Sequence, residues 1–83
     1  MTKIELKKTI IKIINKCKKD DKILNTLIAR ILIIFKDYKD IDFEILKNGH
    51  RDEKFHLVTS ILGWHLTYSY QPKILNNLIH DIL

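Results

Sequence analysis

Residues 23–35 read ILNTLIARILIIF, and the fold depends on how this stretch is wound. Ile23, Leu24, Leu27, Ile28, Ile31, Ile34 and Phe35, with Tyr38 beyond them, recur at i, i+3 and i+4, the spacing of one helix face. The longest unbroken apolar run, ILIIF, is five residues, far short of the roughly 18 needed to cross a bilayer. The apolar arc is broad, which predicts the most central helix of an all-α protein. Asp20 or Asp21 stands where its N-cap is needed. Ile33 falls among Lys22, Thr26, Lys36 and Asp37, so it is expected either under the following loop or exposed.

Working towards the N-terminus, Thr2-Lys3-Ile4-Glu5 has the T-x-x-E form of a capping box. Leu6, Ile10, Ile13, Ile14 and Cys17 then make one apolar stripe, with Lys8, Lys12, Lys16 and Lys19 on the opposite face. Ile4 and Ile11 lie to one side, beside Lys7. This helix is expected to end near Lys19, where cations suit the C-terminal dipole. Residues 1–39 hold eleven Lys/Arg against four Asp/Glu, whereas residues 40–83 hold four against six. The basic half suits an anionic surface or partner, or simple solvation.

Working towards the C-terminus, KDIDFEILKNGHRDE (39–53) reads in two ways. Asp40 or Asp42 can cap a short helix around residues 42–47, with Gly49 as a left-handed terminator. Alternatively, Ile41, Phe43 and Ile45 alternate as a strand into an Asn48-Gly49 hairpin. The second strand of that hairpin has no alternating apolar set, which favours the helix. A long helix is expected from about Asp52 to about Tyr70, ended by Pro72, which itself opens a last helix. That helix buries Ile74, Leu75, Leu78, Ile79 and Ile82.

The long helix contains TSILGWHLTYSY (59–70). Phe55, Val58, Leu62 and Leu66 make one stripe; Leu57, Ile61, Trp64 and Tyr68 make a second. His56, Thr59, Ser60, Gly63 and Thr67 form a small-residue face. Gly63 there either lets another helix approach closely or leaves the face open to a partner. His65 reads as a buried ligand or proton switch, or, more simply, as a core histidine bonded to a carbonyl or a Tyr hydroxyl. Trp64, Tyr68 and Tyr70 form an aromatic patch suited to packing or to anchoring a partner. Leu83 and the Gly63 face together suit a helix-mediated homodimer as well as a monomer.

The 83 residues are expected to form one helical domain, with a small core for its size. Hydrophobic residues at 46%, with two Gly and one Pro, argue against disorder and against a turn-rich β fold. One Cys excludes an internal disulfide. The opening MTKIELKK does not read as a signal peptide, so a cytoplasmic protein is expected. No phosphate-binding loop, nucleophile elbow or HExxH motif is present. No two histidines stand at i, i+3 or i+4, so no metal site is expected. The adjacent pairs Asp20-Asp21 and Asp52-Glu53 diverge on a helix and read as caps and first-turn charges. The expectation is a non-enzymatic protein without a cofactor.

The basic, capped opening TKIELKKTIIKIINKCKK, the apolar ILNTLIARILIIF, and the later FHLVTSILGWHLTYSY and PKILNNLIHDIL together resemble the pediocin-like bacteriocin immunity proteins. That resemblance implies a small cytosolic protein folded as an antiparallel four-helix bundle. It also implies recognition through the C-terminal half, about residues 55–83, directed at a bacteriocin with its membrane sugar-transport receptor. Other small toxin-immunity and inhibitor proteins share this format. The candidate partner-binding residues are Ile33, Trp64, Tyr68 and Tyr70. Two other partners stay open. Nucleic acid could meet the Lys8/Lys12/Lys16/Lys19 face, although Arg, favoured in base readout, is scarce. A membrane surface could meet the first helix through Ile4 and Ile11.

Overall fold

The computed structural model describes residues 2–82; Leu83, a candidate dimer contact, lies outside them. The described chain is all-α, with five helices: α1 (Lys3–Cys17), α2 (Asp21–Ile34), α3 (Phe43–Asn48), α4 (Arg51–Thr67) and α5 (Pro72–Ile79). Helix α1 packs on α2, α4 and α5; α2 also meets α3, α4 and α5; α3 sits against α4. All five helices contribute to one buried cluster.

The starts of the helices follow the sequence closely. The Thr2 hydroxyl accepts from the Glu5 amide and the Thr2 amide donates to Glu5 Oε1, both at 3.2 Å. The Thr2 backbone N–H, and then its hydroxyl, hold the Glu5 carboxyl below its usual range. Asp20 caps α2 by accepting from the amides of Lys22 (2.9 Å) and Ile23 (3.4 Å). Asp42 caps α3 through the Ile45 amide at 3.2 Å. Residues 43–48 are therefore helix, not hairpin. Helix α4 starts earlier than expected: His50 is the capping residue, and its amide donates to Glu53 at 3.0 Å. Asp52 is thus a first-turn charge.

The helix ends correct the sequence reading. Gly49 is not a left-handed terminator; its φ of −70° and ψ of 169° are extended. Glycine is required there for space, because an added Cβ would lie 2.7 Å from the Ile45 carbonyl oxygen. Helix α1 stops at Cys17, not Lys19. Helix α2 stops at Ile34, and Phe35 and Tyr38 continue in a turn closed by the Tyr38 amide on the Phe35 carbonyl at 2.9 Å. Lys36, Asp37, Lys39 and Asp40 are all exposed, so no packing rewards a longer helix. Helix α4 stops at Thr67 instead of Tyr70. Gln71 is extended, as the residue before a proline must be. Ile82 lies beyond α5 but still packs against the core.

Gly63 is a further correction to the close-packed alternative. Nothing comes within 4 Å of where its Cβ would be. No neighbouring helix approaches closely at Gly63, which leaves the open alternative there.

Candidate functional site

The two arginines have a role the sequence did not disclose. Arg51, in the first turn of α4, donates to the carbonyls of Cys17 (2.8 Å) and Lys18 (2.7 Å) and pairs with Asp21. It satisfies the carbonyl end of α1 and ties it to the start of α2. Arg30, in α2, donates to the Leu78 carbonyl at 3.1 Å and also to that of His80, closing α5. A planar fork reaches several carbonyls at once where an ammonium is a point charge. The signal was available: among fifteen Lys and Arg, only these two are Arg.

Neither clamp involves the predicted lysine face. Lys8, Lys12, Lys16 and Lys19 are all exposed. The carboxylate contacts are Arg51–Asp21 and His80–Asp81, so none of the four has a carboxylate partner among the described residues. Lys16 and Lys19, with Lys18, line an open groove of about 760 Å³ at the α1–α2 corner. Lys8 and Lys12 lie further back along α1 and do not line it. Cys17 behind this corner is buried, and desolvation, then Asp20, pushes its thiol up to about 11, so it stays protonated and inert near neutral pH.

Helix α4 carries the aromatic site. Its inner face buries Val58, Ile61, Leu62 and His65. His65, 3% exposed, stacks on Phe35 with ring centroids 4.6 Å apart and planes 21° apart. Tyr38 completes the slot, 4.8 Å from Phe35 and 5.8 Å from His65. His65 is therefore a core residue, but it lacks the bond to a carbonyl or Tyr hydroxyl expected of it: Nδ1 is buried without a partner.

With His65 inside, its neighbour Trp64 is turned outward. Trp64 is 57% exposed and Tyr68 73% exposed, and their rings meet at a tilt, with centroids 4.7 Å apart and planes at 42°. Beside them is an apolar groove of about 420 Å³, walled by Tyr38, Ile41, Ile61 and Trp64, with Asp40 and Ser60 at its edge. Of the four residues singled out from sequence, the structure brings together Trp64 and Tyr68. Ile33 is 72% exposed on α2 and does not line the groove. Tyr70 is half-buried against the core, with the Lys3 ammonium 4.8 Å above its ring. Sequence reasoning missed Tyr38, Asp40 and Ile41 as groove residues, because it carried Tyr38 on as helix.

Among the described residues no three His, Cys, Asp or Glu side chains gather into a potential metal site, and no helix is long and apolar enough to cross a membrane. No family model, curated protein or solved structure matches this chain.

Proposed function

We propose that the protein is a small, non-enzymatic binding protein of the immunity or inhibitor type. It works in the cytoplasm on an antiparallel four-helix-bundle frame and meets a protein partner through the outer face of α4. The observation that carries this reading is the water-exposed Trp64–Tyr68 pair, with Trp64 lining the Tyr38–Ile41 groove and Tyr68 in contact with it. Aromatic anchors beside a pocket, rimmed by small polar residues such as Ser60 and Thr67, have the make-up of an interface hot spot. An aromatic side chain buries about 150–250 Å² on contact. At about 25 cal/mol per Å², that is several kcal/mol of gross driving force per ring. The open Gly63 face beside them adds no obstruction to a partner, and a second copy of the chain is one such partner.

The test is a photo-crosslinking residue at Ser60, introduced in the cell that naturally makes the protein. A discrete protein adduct should form, vanish in Trp64→Ala/Tyr68→Ala, and persist when Lys8, Lys12, Lys16 and Lys19 become Gln. An adduct indifferent to the aromatic pair, or no adduct at all, sinks the reading. Nucleic-acid binding is the second reading, supported by the exposed, unpaired Lys8, Lys12, Lys16 and Lys19. Both arginines are committed to helix ends, so such binding would be phosphate-led and steeply salt-dependent. Retention on DNA that is lost in the four-Gln variant would establish it.

A further inference from the structure

The outward side of α1 is not uniformly polar. Ile4 is 68% exposed and Ile11 is 47% exposed, although the same helix buries Leu6, Ile10, Ile13 and Cys17 completely or nearly so. At about 100° per residue, Ile4, Ile11 and Asn15 fall within roughly 40° of one another, about 150° from the centre of the buried stripe. They form an exposed crest on the outer side of the helix, beside Lys8. Lys7 and Lys18 flank the crest on one side and Lys8 and Lys12 on the other, all exposed. None of these lysines has a carboxylate partner among the described residues. The one acid in the helix, Glu5, is held in the Thr2 capping box.

We propose that this crest is a docking surface for an anionic lipid membrane, with α1 lying along the headgroups. The Ile4 and Ile11 side chains enter the acyl boundary, and the four flanking lysines meet lipid phosphates. Charge complementarity selects an anionic occupant, and the two isoleucines select among anionic occupants. A phosphate backbone offers an isoleucine at the centre of the contact nothing to be buried in, whereas a lipid interface does. Lysine also suits the geometry, since its long apolar stem lets the ammonium reach the headgroups beside a sinking crest. The core does not compete for this face, because the buried stripe that packs on α2, α4 and α5 is a separate set of residues. The inference is independent of the α4 interface, which can fail or hold without it.

The experiment is co-sedimentation of the full chain with vesicles of phosphatidylglycerol mixed with phosphatidylcholine, and with vesicles of phosphatidylcholine alone. The expected result is binding to the first and not the second, weakening as salt is raised from about 50 to about 300 mM. Replacing Lys7, Lys8, Lys12 and Lys18 by Gln should lower partitioning by about five-fold for each lysine removed. Ile4→Ser/Ile11→Ser keeps every charge and every core residue, and should still lower partitioning about ten-fold or more. Circular dichroism should show both variants helical; a single Ile4→Ser change, at the more exposed position, serves if the double variant does not fold. No binding to anionic vesicles at low salt overturns the proposal. So does binding untouched by the isoleucine changes and matched by binding to a short DNA duplex, which would make α1 a plain polycation.

Discussion

Helices α1 and α4 are of similar length and both face the core, but they are built on different logic. In α1, a single stripe settles the orientation: Leu6, Ile10, Ile13 and Cys17 are inside and every lysine is outside, with Ile4 and Ile11 the two apolar residues left in water. In α4, apolar residues surround most of the helix, and the structure chooses among them. It buries His65 and leaves Trp64 and Tyr68 in water. The lesson is that a helix with one apolar stripe has its orientation dictated by burial, whereas a helix with an excess of apolar surface is oriented by its neighbours. Here the Phe35–Tyr38 turn supplies a flat slot that takes the imidazole. The aromatic surface left over is what α4 has to offer a partner.

The largest test of this contrast compares substitutions at inner and outer positions. Ile10→Ala in α1 and Leu62→Ala in α4 should each cost about 2–5 kcal/mol in urea denaturation. That is a large part of the stability of a domain this size, at roughly 0.05–0.15 kcal/mol per residue. Trp64→Ala should cost about 1 kcal/mol or less, mainly through its ring contact with Tyr68. Equal losses at Leu62 and Trp64 would mean that α4 is rotated from the orientation described.

Arg51 joins the end of α1 to the start of α4. Arg51→Ala should destabilise by about 2 kcal/mol through the lost carbonyl bonds, and Arg51→Lys should recover little of it. Full recovery by Lys would reduce the clamp to a simple charge effect. Next come the glycine that closes α3 and the one within α4. Gly49→Ala should destabilise by about 1–2 kcal/mol, because its Cβ meets a backbone carbonyl. Gly63→Ala meets nothing, and should stabilise the helix by about 1 kcal/mol. Melting curves that move in the same direction for both would show that the Gly63 face is packed after all.

The smallest expected effect is the most informative about the slot. His65→Phe keeps a flat ring against Phe35 and removes the unpartnered Nδ1. It should stabilise by about 1 kcal/mol, a rise in melting temperature of roughly 4–8 °C. A fall would show that Nδ1 makes a polar contact worth keeping.

Much of the frame was legible residue by residue. Thr2, Asp20 or Asp21, and Asp40 or Asp42 announce helix starts because a short oxygen-bearing side chain before an apolar period has one good local use; the structure selects Asp20 and Asp42. The stripe of α1 and the inner face of α2 follow from period alone. The aromatic site was half legible. Trp64 and Tyr68 stand at i and i+4, so their contact is built into the helix. The separation of Tyr70 from them, and the arrival of Tyr38, Asp40 and Ile41, depend on where α4 and α2 stop.

By itself, then, the sequence determined that this chain is helical, to within a residue or two where its helices begin, and which residues of α1, α2 and α5 go inside, because these are properties of near neighbours along one chain. The tertiary structure alone decided where α2 and α4 end, which side of α4 faces inward, and what Arg30 and Arg51 bind. The facing of α4 and the bonds of the arginines are settled by partners distant in sequence: Phe35 for His65, Cys17 and Lys18 for Arg51, Leu78 and His80 for Arg30. No period within a helix encodes such a contact, because its energy exists only once the two segments have met.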